Sequence, residues 1–308
     1  MPPALLHGVL NVGSINEDRV YRVHSIARPG ETVCGLEYRV FAGGKGANQS
    51  VALARAGARV RHVGKVGNGG AWLRDKLAGC GVGVRHVTVA DAPTGHAVIQ
   101  VDASGENSIV LFPGTNHQIT ADERRQALDG AAPGDWLLLQ NEVNDIPDLM
   151  AMGRERGLRI VLNPAPMTTP VRAYPLELAD LLILNETEGE ALTGEGEPSR
   201  LLDALRRRLP AATIVLTLGA AGARVAERDG DASPVATPHV QATDTTGAGD
   251  TFVGYCLALL IEGRTPVEAA RYACRAAALS VTRPGAMDSI PRRDEVESWI
   301  PPLRSPVV

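Results

Sequence analysis

Asp244-Thr245-Thr246-Gly247-Ala248-Gly249-Asp250-Thr251-Phe252 joins a polar loop to a long apolar run with helical spacing. The glycines permit a tight turn and close backbone approach. A helix beginning near Gly249 points its free N–H groups into that turn, where they favour an anion. Asp250 occupies the same place and is itself an anion. A permanently bound phosphate would sit badly against it. A phosphoryl group in transit fits better, with the carboxylate taking a proton from the acceptor hydroxyl. A well-capped helix after a glycine turn is the simpler alternative, and the rest of the chain must decide between them.

Working back from that stretch, residues from Thr120 onward follow a regular rhythm. Apolar strands are expected at Trp136–Leu139, Arg159–Asn163, Asp180–Leu184 and Ile214–Leu218. Helical patterns at Asp122–Leu128, Ile146–Arg156, Glu188–Leu192 and Leu201–Leu209 separate them. Near-continuous Val, Ile and Leu in the strands argues a mostly parallel sheet covered on both faces. A short hairpin at Val225–Glu227 and Val235–Thr237 precedes three helices, Gly249–Glu262, Pro266–Val281 and Arg292–Trp299.

The first third reads differently. A buried strand is expected at Leu6–Val12, then polar residues Gly13 to Asp18. Polar residues just past a strand's C-terminal end are well placed for a ligand in an α/β sheet, though ordinary turns would look the same. Val20 to Val40 holds short strand-like pieces broken at Arg28-Pro29-Gly30. Strands follow at Val60–Val66, Val82–Val89, Ala97–Val101 and Ser108–Phe112, the last two reading as a hairpin across Asp102–Glu106. These pieces suggest a small β appendage able to cover a site and exclude water. Between them lies Gly43-Gly44-Lys45-Gly46-Ala47-Asn48-Gln49-Ser50, a glycine pair that leads into a helix. It lacks Walker A spacing. Asn48 is expected to start the helix with its side chain available, and Lys45 either touches a ligand or is solvated.

The chain has 308 residues, 44% apolar and only 4% aromatic, so an aliphatic core is expected. Its 31 basic and 35 acidic residues give a net charge of −4, which predicts no nucleic-acid surface. Cys34, Cys80, Cys256 and Cys274 form no CxxC pair, which predicts neither a disulfide framework nor a zinc site. Met1–Val12 lacks the plan of a secretory signal, and no run of about 18 apolar residues appears. The expectation is a soluble, cytoplasmic protein with no membrane partner. Neither HExxH nor GxSxG occurs, and no GxGxxG follows the first strand. This lowers metalloprotease, acyl-hydrolase and dinucleotide-binding readings.

Three further constellations follow strands. Asn185-Glu186-Thr187-Glu188 could hold the water shell of Mg²⁺, or serve as an N-cap with an acidic first turn. Glu142 could accept from a hydroxyl. Thr217-Leu218-Gly219-Ala220-Ala221-Gly222 suits close approach of a nucleotide. Ser280, Arg283, Gly285 and Ser289 lie in a loop whose carbonyls could contribute to a cation site.

Two stretches, Gly43–Gln49 and Asp244–Phe252, resemble the N- and C-terminal signatures of the ribokinase-like (PfkB) carbohydrate kinase family. The likeness runs from Gly13-Ser14-Ile15-Asn16 to Val281-Thr282-Arg283-Pro284-Gly285-Ala286. It implies a Rossmann-like three-layer αβα sandwich over residues 1–308, with β-sheet lid segments at 17–42 and 93–114. It implies ATP-dependent phosphorylation of a sugar hydroxyl, with Asp250 as base and Gly247, Ala248 and Gly249 as the anion hole. Asn16, Asp18, Gly44, Lys45, Asn48 and Glu142 would surround the sugar. Asn185 would touch phosphate and Glu188 would hold Mg²⁺ through water. Thr217, Gly219, Gly222, Gly249 and Cys274 would border the nucleotide. Asp244, Thr246, Ser280, Arg283, Gly285 and Ser289 match a potassium loop, several through backbone oxygens. The lid is also expected to form a homodimer contact.

Asn16 with Asp18 suits vicinal hydroxyls, and buried hydroxyl-matching groups discriminate well. The resemblance implies D-ribose, phosphorylated at O5, ahead of another pentose, a ketohexose or a nucleoside, and ahead of a non-catalytic sugar-binding regulator. Two departures bear on this. Cys274 stands where Asn or His is usual in the family, and His96 replaces a small or apolar residue in Thr94-Gly95-His96-Ala97.

Overall fold

The computed structural model describes residues 7–228 and 230–301. The chain opens with β1 (Val9–Val12), β2 (Asn16–Val23), β3 (Gly35–Gly43) and α1 (Lys45–Arg55). It continues through β4 (Val60–Gly67), α2 (Ala71–Gly79), β5 (Gly83–Ala90), β6 (Gly95–Val101) and β7 (Asn107–Phe112). The alternating part is α3 (Ala121–Asp129), β8 (Trp136–Gln140), α4 (Ile146–Glu155), β9 (Arg159–Asn163), β10 (Leu181–Asn185), α5 (Glu186–Thr193), α6 (Pro198–Arg208) and β11 (Thr213–Thr217). It closes with β12 (Ala223–Ala226), β13 (Ser233–Val235), α7 (Ala248–Ile261), α8 (Pro266–Ser280) and α9 (Arg293–Ser298).

Nine strands form one sheet in the order β13-β12-β11-β10-β9-β8-β1-β4-β5. All neighbours are parallel except β11–β12 and β12–β13. Alternate residues of each strand feed opposite cores. Leu138, Leu181 and Ile183 join the layer of α1, α7 and α8, whereas Leu137, Leu139, Leu182 and Leu184 join the layer of α4 and α6. Each such fully buried Leu contributes roughly 2 kcal/mol of transfer free energy. This is the expected αβα sandwich, and its strands are apolar throughout because both faces are covered.

The sheet order reverses at β1. The chain proceeds from β1 to β4 and β5 on one side and from β8 through β11 on the other. A crevice therefore opens beyond the C-terminal ends of β1 and β8, the usual ligand position in such a sheet.

A second sheet, β3-β2-β6-β7, grows out of that crevice. Asn16 and Asp18 lie within β2, not in a loop as the sequence suggests. Asn, Glu and Asp are poor strand formers, so local propensity misplaces the start of this strand. Alternation puts both side chains on one face. The pieces around Val20 and Val40 are likewise full strands of 8 and 9 residues. The strand expected at Val82–Val89 is not part of this appendage: β5 pairs in parallel with β4 at the edge of the large sheet. β1 begins at Val9; Leu6, where the strand was expected to start, lies outside the described residues.

Helix α7 is apolar nearly all round, and its residues from Asp250 to Leu259 are buried. It packs backbone-close on α1. A Cβ at Gly254 would lie 2.4 Å from Ala52 Cβ and 2.9 Å from the Gln49 carbonyl oxygen. One turn earlier on the same face sits Asp250, which this contact delivers to the start of α1. Among the described residues no helix is long and apolar enough to cross a membrane.

Candidate active site

Asp250 is buried at the N-terminal turn of α7 and is held by two side-chain amides. Asn48 Nδ2 donates to its Oδ2 at 2.9 Å and Gln49 Nε2 to its Oδ1 at 2.9 Å. The sequence reading placed Asn48 at the helix start. The helix in fact begins at Lys45 after the N-cap Gly44, and Asn48 sits in its first turn facing Asp250. Gly44 has φ +92°, and a Cβ there would meet the Asn16 amide and the Ser14 carbonyl at 2.9 Å. Only glycine carries the chain through this contact without strain.

Acceptor groups gather beside Asp250. Glu142, just past β8, accepts from the Lys45 amide at 3.1 Å and from the Ser14 hydroxyl. Burial pushes the Glu142 carboxyl above its usual range, against the pull of Lys45. Asp18 is pushed up to about 7, first by burial and then by the nearby charges of Glu142 and Asp250. Lys45 is held protonated chiefly by Asp250, with Glu142 and Glu188 adding to it and burial opposing. Asn16, Asp18, Gly44, Lys45, Asn48, Glu142 and Asp250 are thus linked into one cluster.

Asn116 is absent from the sequence reading. It follows β7 and is buried. Its amino group donates to Asn16 Oδ1 at 2.7 Å, and its oxygen accepts from the Ile15 amide at 2.9 Å. This leaves the Asn16 amino group as the end free for a ligand. Gly95, the register partner of Asn16, is required by that contact: its Cβ would fall 2.2 Å from Asn116 Nδ2. No local motif marks Asn116; only the pairing of β2 with β6 brings it there.

On the other side of Asp250 the turn at Gly247 has φ +75° and forms the N-cap of α7. The Thr251 amide already bonds the Gly247 carbonyl. The Ala248 amide makes a long 3.3 Å bond to the Thr245 carbonyl. Among the described residues the Gly247, Gly249 and Asp250 amides have no acceptor, so they are the donors ready for an anion. The sequence reading assigned Gly247, Ala248 and Gly249 equally to that role; here Ala248 is partly engaged.

Ala248 and Gly249 border a cavity of about 290 Å³. Thr217, Gly219, Gly222, Gly249 and Cys274 line it together with Phe252. Burial raises the Cys274 thiol to about 11, so it is a neutral wall group. Asn185 does not line this cavity. It caps α5 reciprocally with Glu188: its Oδ1 accepts from the Glu188 amide at 2.8 Å, and its amide donates to Glu188 Oε2 at 3.0 Å. The other Glu188 oxygen accepts no protein hydrogen bond among the described residues. Burial raises this carboxyl, and Lys45 and Asp250 lie within its electrostatic reach.

Asp244 ties two loops together. Its oxygens accept from the Thr246 amide at 2.9 Å and the Gly285 amide at 2.8 Å. Burial opposes its ionisation, yet these bonds outweigh it and hold the carboxyl below the usual range. Ser280 and Ser289 donate to the Ala277 and Ala286 carbonyls. Arg283 turns aside to Glu295 at 2.7 Å, so only its backbone remains at the loop. Among the described residues no cluster of three or more His, Cys, Asp or Glu could hold a metal directly.

The sequence profile of the pfkB family carbohydrate kinases matches residues 7–293. The chain belongs to this family. The kinase is 40% identical to the ribokinase of Haemophilus influenzae, over 94% of its own length and 97% of that protein's. It superposes on the ribokinase of Arabidopsis thaliana complexed with ribose and ATP with a TM-score of 0.85, at 30% identity, covering 95% and 98% of the two chains. With the ribokinase of Cryptococcus neoformans in complex with ADP the TM-score is 0.82, at 35% identity, covering 94% and 99%. The fold inferred from the two signatures is thus the fold of the kinase.

Proposed function

We propose that this kinase transfers the terminal phosphoryl group of ATP to O5 of D-ribose, giving D-ribose 5-phosphate and ADP. The observation that carries the reading is the place of Asp250. It lies between a pocket of hydroxyl-matching groups and the free amides of a helix N-terminus. Ribokinases among the relatives, one of them complexed with ribose and ATP, support the choice of substrates.

In this reading Asn16, Asp18, Gly44, Lys45, Asn48 and Glu142 bind the sugar. Asp250 takes the O5 proton as the O5–phosphorus bond forms and the bond to the leaving ADP breaks. The Gly249 amide, with Gly247 and Ala248 shaping the turn, offsets charge on the moving phosphoryl group. Lys45, held protonated among three carboxylates, adds positive charge beside it. Asn185 touches phosphate, and Thr217, Gly219, Gly222 and Cys274 border the base and ribose of the nucleotide.

Two cations belong to this reading. The uncommitted oxygen of buried Glu188 fits a magnesium ion held through water, which would neutralise phosphate charge. The paired loops of Asp244, Thr246, Ser280, Arg283, Gly285 and Ser289 fit potassium, because they offer neutral oxygens beside one carboxylate. The whole chain is read as one kinase domain with lid segments at 17–42 and 93–114. Leu36, Tyr38, Ile109 and Val110 are exposed on that small sheet and favour a homodimer built through it. Four unpaired cysteines favour a cytoplasmic setting.

An acceptor screen tests the reading. ADP release is followed over D-ribose, other pentoses, fructose and nucleosides, with and without potassium. Turnover greatest on D-ribose and reduced without potassium is expected. Preference for a nucleoside, or sugar binding without turnover, overturns it.

A further inference from the structure

A chain of buried side-chain amides runs from the sheet to Asp250. Asn11 of β1 donates through its amino group to the Gly46 carbonyl and to Ser50 Oγ, both at 2.8 Å. Gln140, the last residue of β8, donates to Asn11 Oδ1 at 3.1 Å and to Gln49 Oε1 at 2.7 Å. Gln49 donates to Asn163 Oδ1 at 3.0 Å and to Asp250 Oδ1 at 2.9 Å. Asn163, the register partner of Gln140 at the end of β9, donates to the Ile183 carbonyl at 3.0 Å.

The direction of every link is forced. A backbone carbonyl can only accept, so the amino groups of Asn11 and Asn163 must face Gly46 and Ile183. Their oxygens then face Gln140 and Gln49. Both protons of the Gln140 amino group and both of the Gln49 amino group are used. Two independent anchors therefore agree that Gln49 turns nitrogen, not oxygen, toward Asp250. Inverting any one amide sets oxygen against oxygen or nitrogen against nitrogen.

Packing α1 on the sheet needs no such chain. Apolar side chains would do it without desolvating a row of amides, and without leaving Gln140 Oε1 buried with no protein partner among the described residues. Its end point explains it. Asp250 Oδ1 is occupied by Gln49. Oδ2 faces Asn48, whose own Oδ1 is buried with no protein partner among the described residues. Each carboxylate oxygen thus accepts one side-chain amide, and the pair of amides fixes the plane of the carboxylate.

We propose that Gln49 is a positioning residue, oriented through Asn11, Gln140 and Asn163, that locks the orientation in which the Asp250 carboxylate receives the acceptor proton. This rests on the reading of Asp250 as the base.

The test measures kcat, the KM values for D-ribose and ATP, and thermal stability. Gln140→Glu is the informative variant, since Gln140 touches neither Asp250 nor the pocket groups. Its carboxylate would face two carbonyl oxygens and turn the Gln49 amide, setting an oxygen against Asp250. The expected result is a fall in kcat on the order of 10- to 100-fold with the ribose KM little changed. Where Gln140→Glu does not fold, Gln49→Met removes the donor at similar bulk and carries the same expectation. Lower thermal stability with unchanged kcat would reduce the chain to scaffolding and overturn the proposal. Asp250→Ala separates the two levels. If it is inactive while both amide variants behave as wild type, only the positioning role fails; if it stays active, the base assignment fails first.

Discussion

The two sides of Asp250 are built on opposite plans. Toward the small sheet the walls are polar, buried and mutually bonded: Asn16 to Asn116, Glu142 to Ser14 and Lys45, Asn48 to Asp250. Toward α8 the walls are small and mostly apolar, with Gly219, Gly249, Phe252 and Cys274 around an open cavity. The first plan discriminates, because each group left without its partner costs free energy in a dry pocket. The second accepts a flat group by shape and leaves its polar contacts to backbone amides. In the proposed reading the acceptor side therefore sets specificity, and the nucleotide side supplies a platform.

The largest expected effect removes the group that divides them. Asp250→Ala should lower kcat by roughly 10²- to 10⁴-fold with nucleotide affinity retained by calorimetry. Loss of ATP binding together with kcat would show that the two sides are not separable. Next is Gly43→Ala. A Cβ there would sit 2.0 Å from Asp18 Oδ2, driving that carboxylate off its place. The ribose KM should rise by about tenfold or more while the ATP KM holds, in line with overpacking of a tight site.

A pH series sharpens the same contrast. Asp18 is pushed up to about 7, so it is a neutral acid below that pH and a carboxylate above it. The carboxylate accepts from hydroxyls freely through both oxygens, whereas the neutral acid commits one oxygen to its proton and accepts more weakly. The ribose KM should therefore fall as pH rises through about 7, and the ATP KM should not follow it. A flat ribose profile would mean that Asp18 keeps one protonation state. The smallest effect is Cys274→Ser. A hydroxyl is a better partner than a thiol, so the ATP KM should drop by about two- to tenfold with the ribose KM unchanged. Any change on the ribose side would break the division.

The two halves of the site were unequally legible. Glycine-rich stretches announce themselves, because few residues tolerate φ near that of Gly44 or Gly247. The alternation of apolar strands with helices likewise makes the large sheet plain. Gln49 and Asn116 carry no such mark. Gln49 stands inside a quoted signature without any spacing that separates it from a surface glutamine. Asn116 gains its place only when β2, β6 and β7 assemble. Asn185 and Glu188 show the converse. Their spacing suited a metal shell or a reciprocal cap, and the structure shows the cap while leaving one Glu188 oxygen uncommitted.

The order of apolar runs, the two glycine turns and the placement of Asp250 after one of them were settled by the sequence itself, since backbone sterics and periodic burial act over neighbouring residues. Folding alone decided which partners meet. Asn48 and Gln49 lie 202 and 201 residues before Asp250 in the chain. They reach it because the missing side chain of Gly254 lets α7 settle against α1. Likewise, the reversal of strand order at β1 opens the crevice that brings Glu142 beside Asn16 and Asp18. Such contacts depend on how layers pack, and no local spacing encodes them.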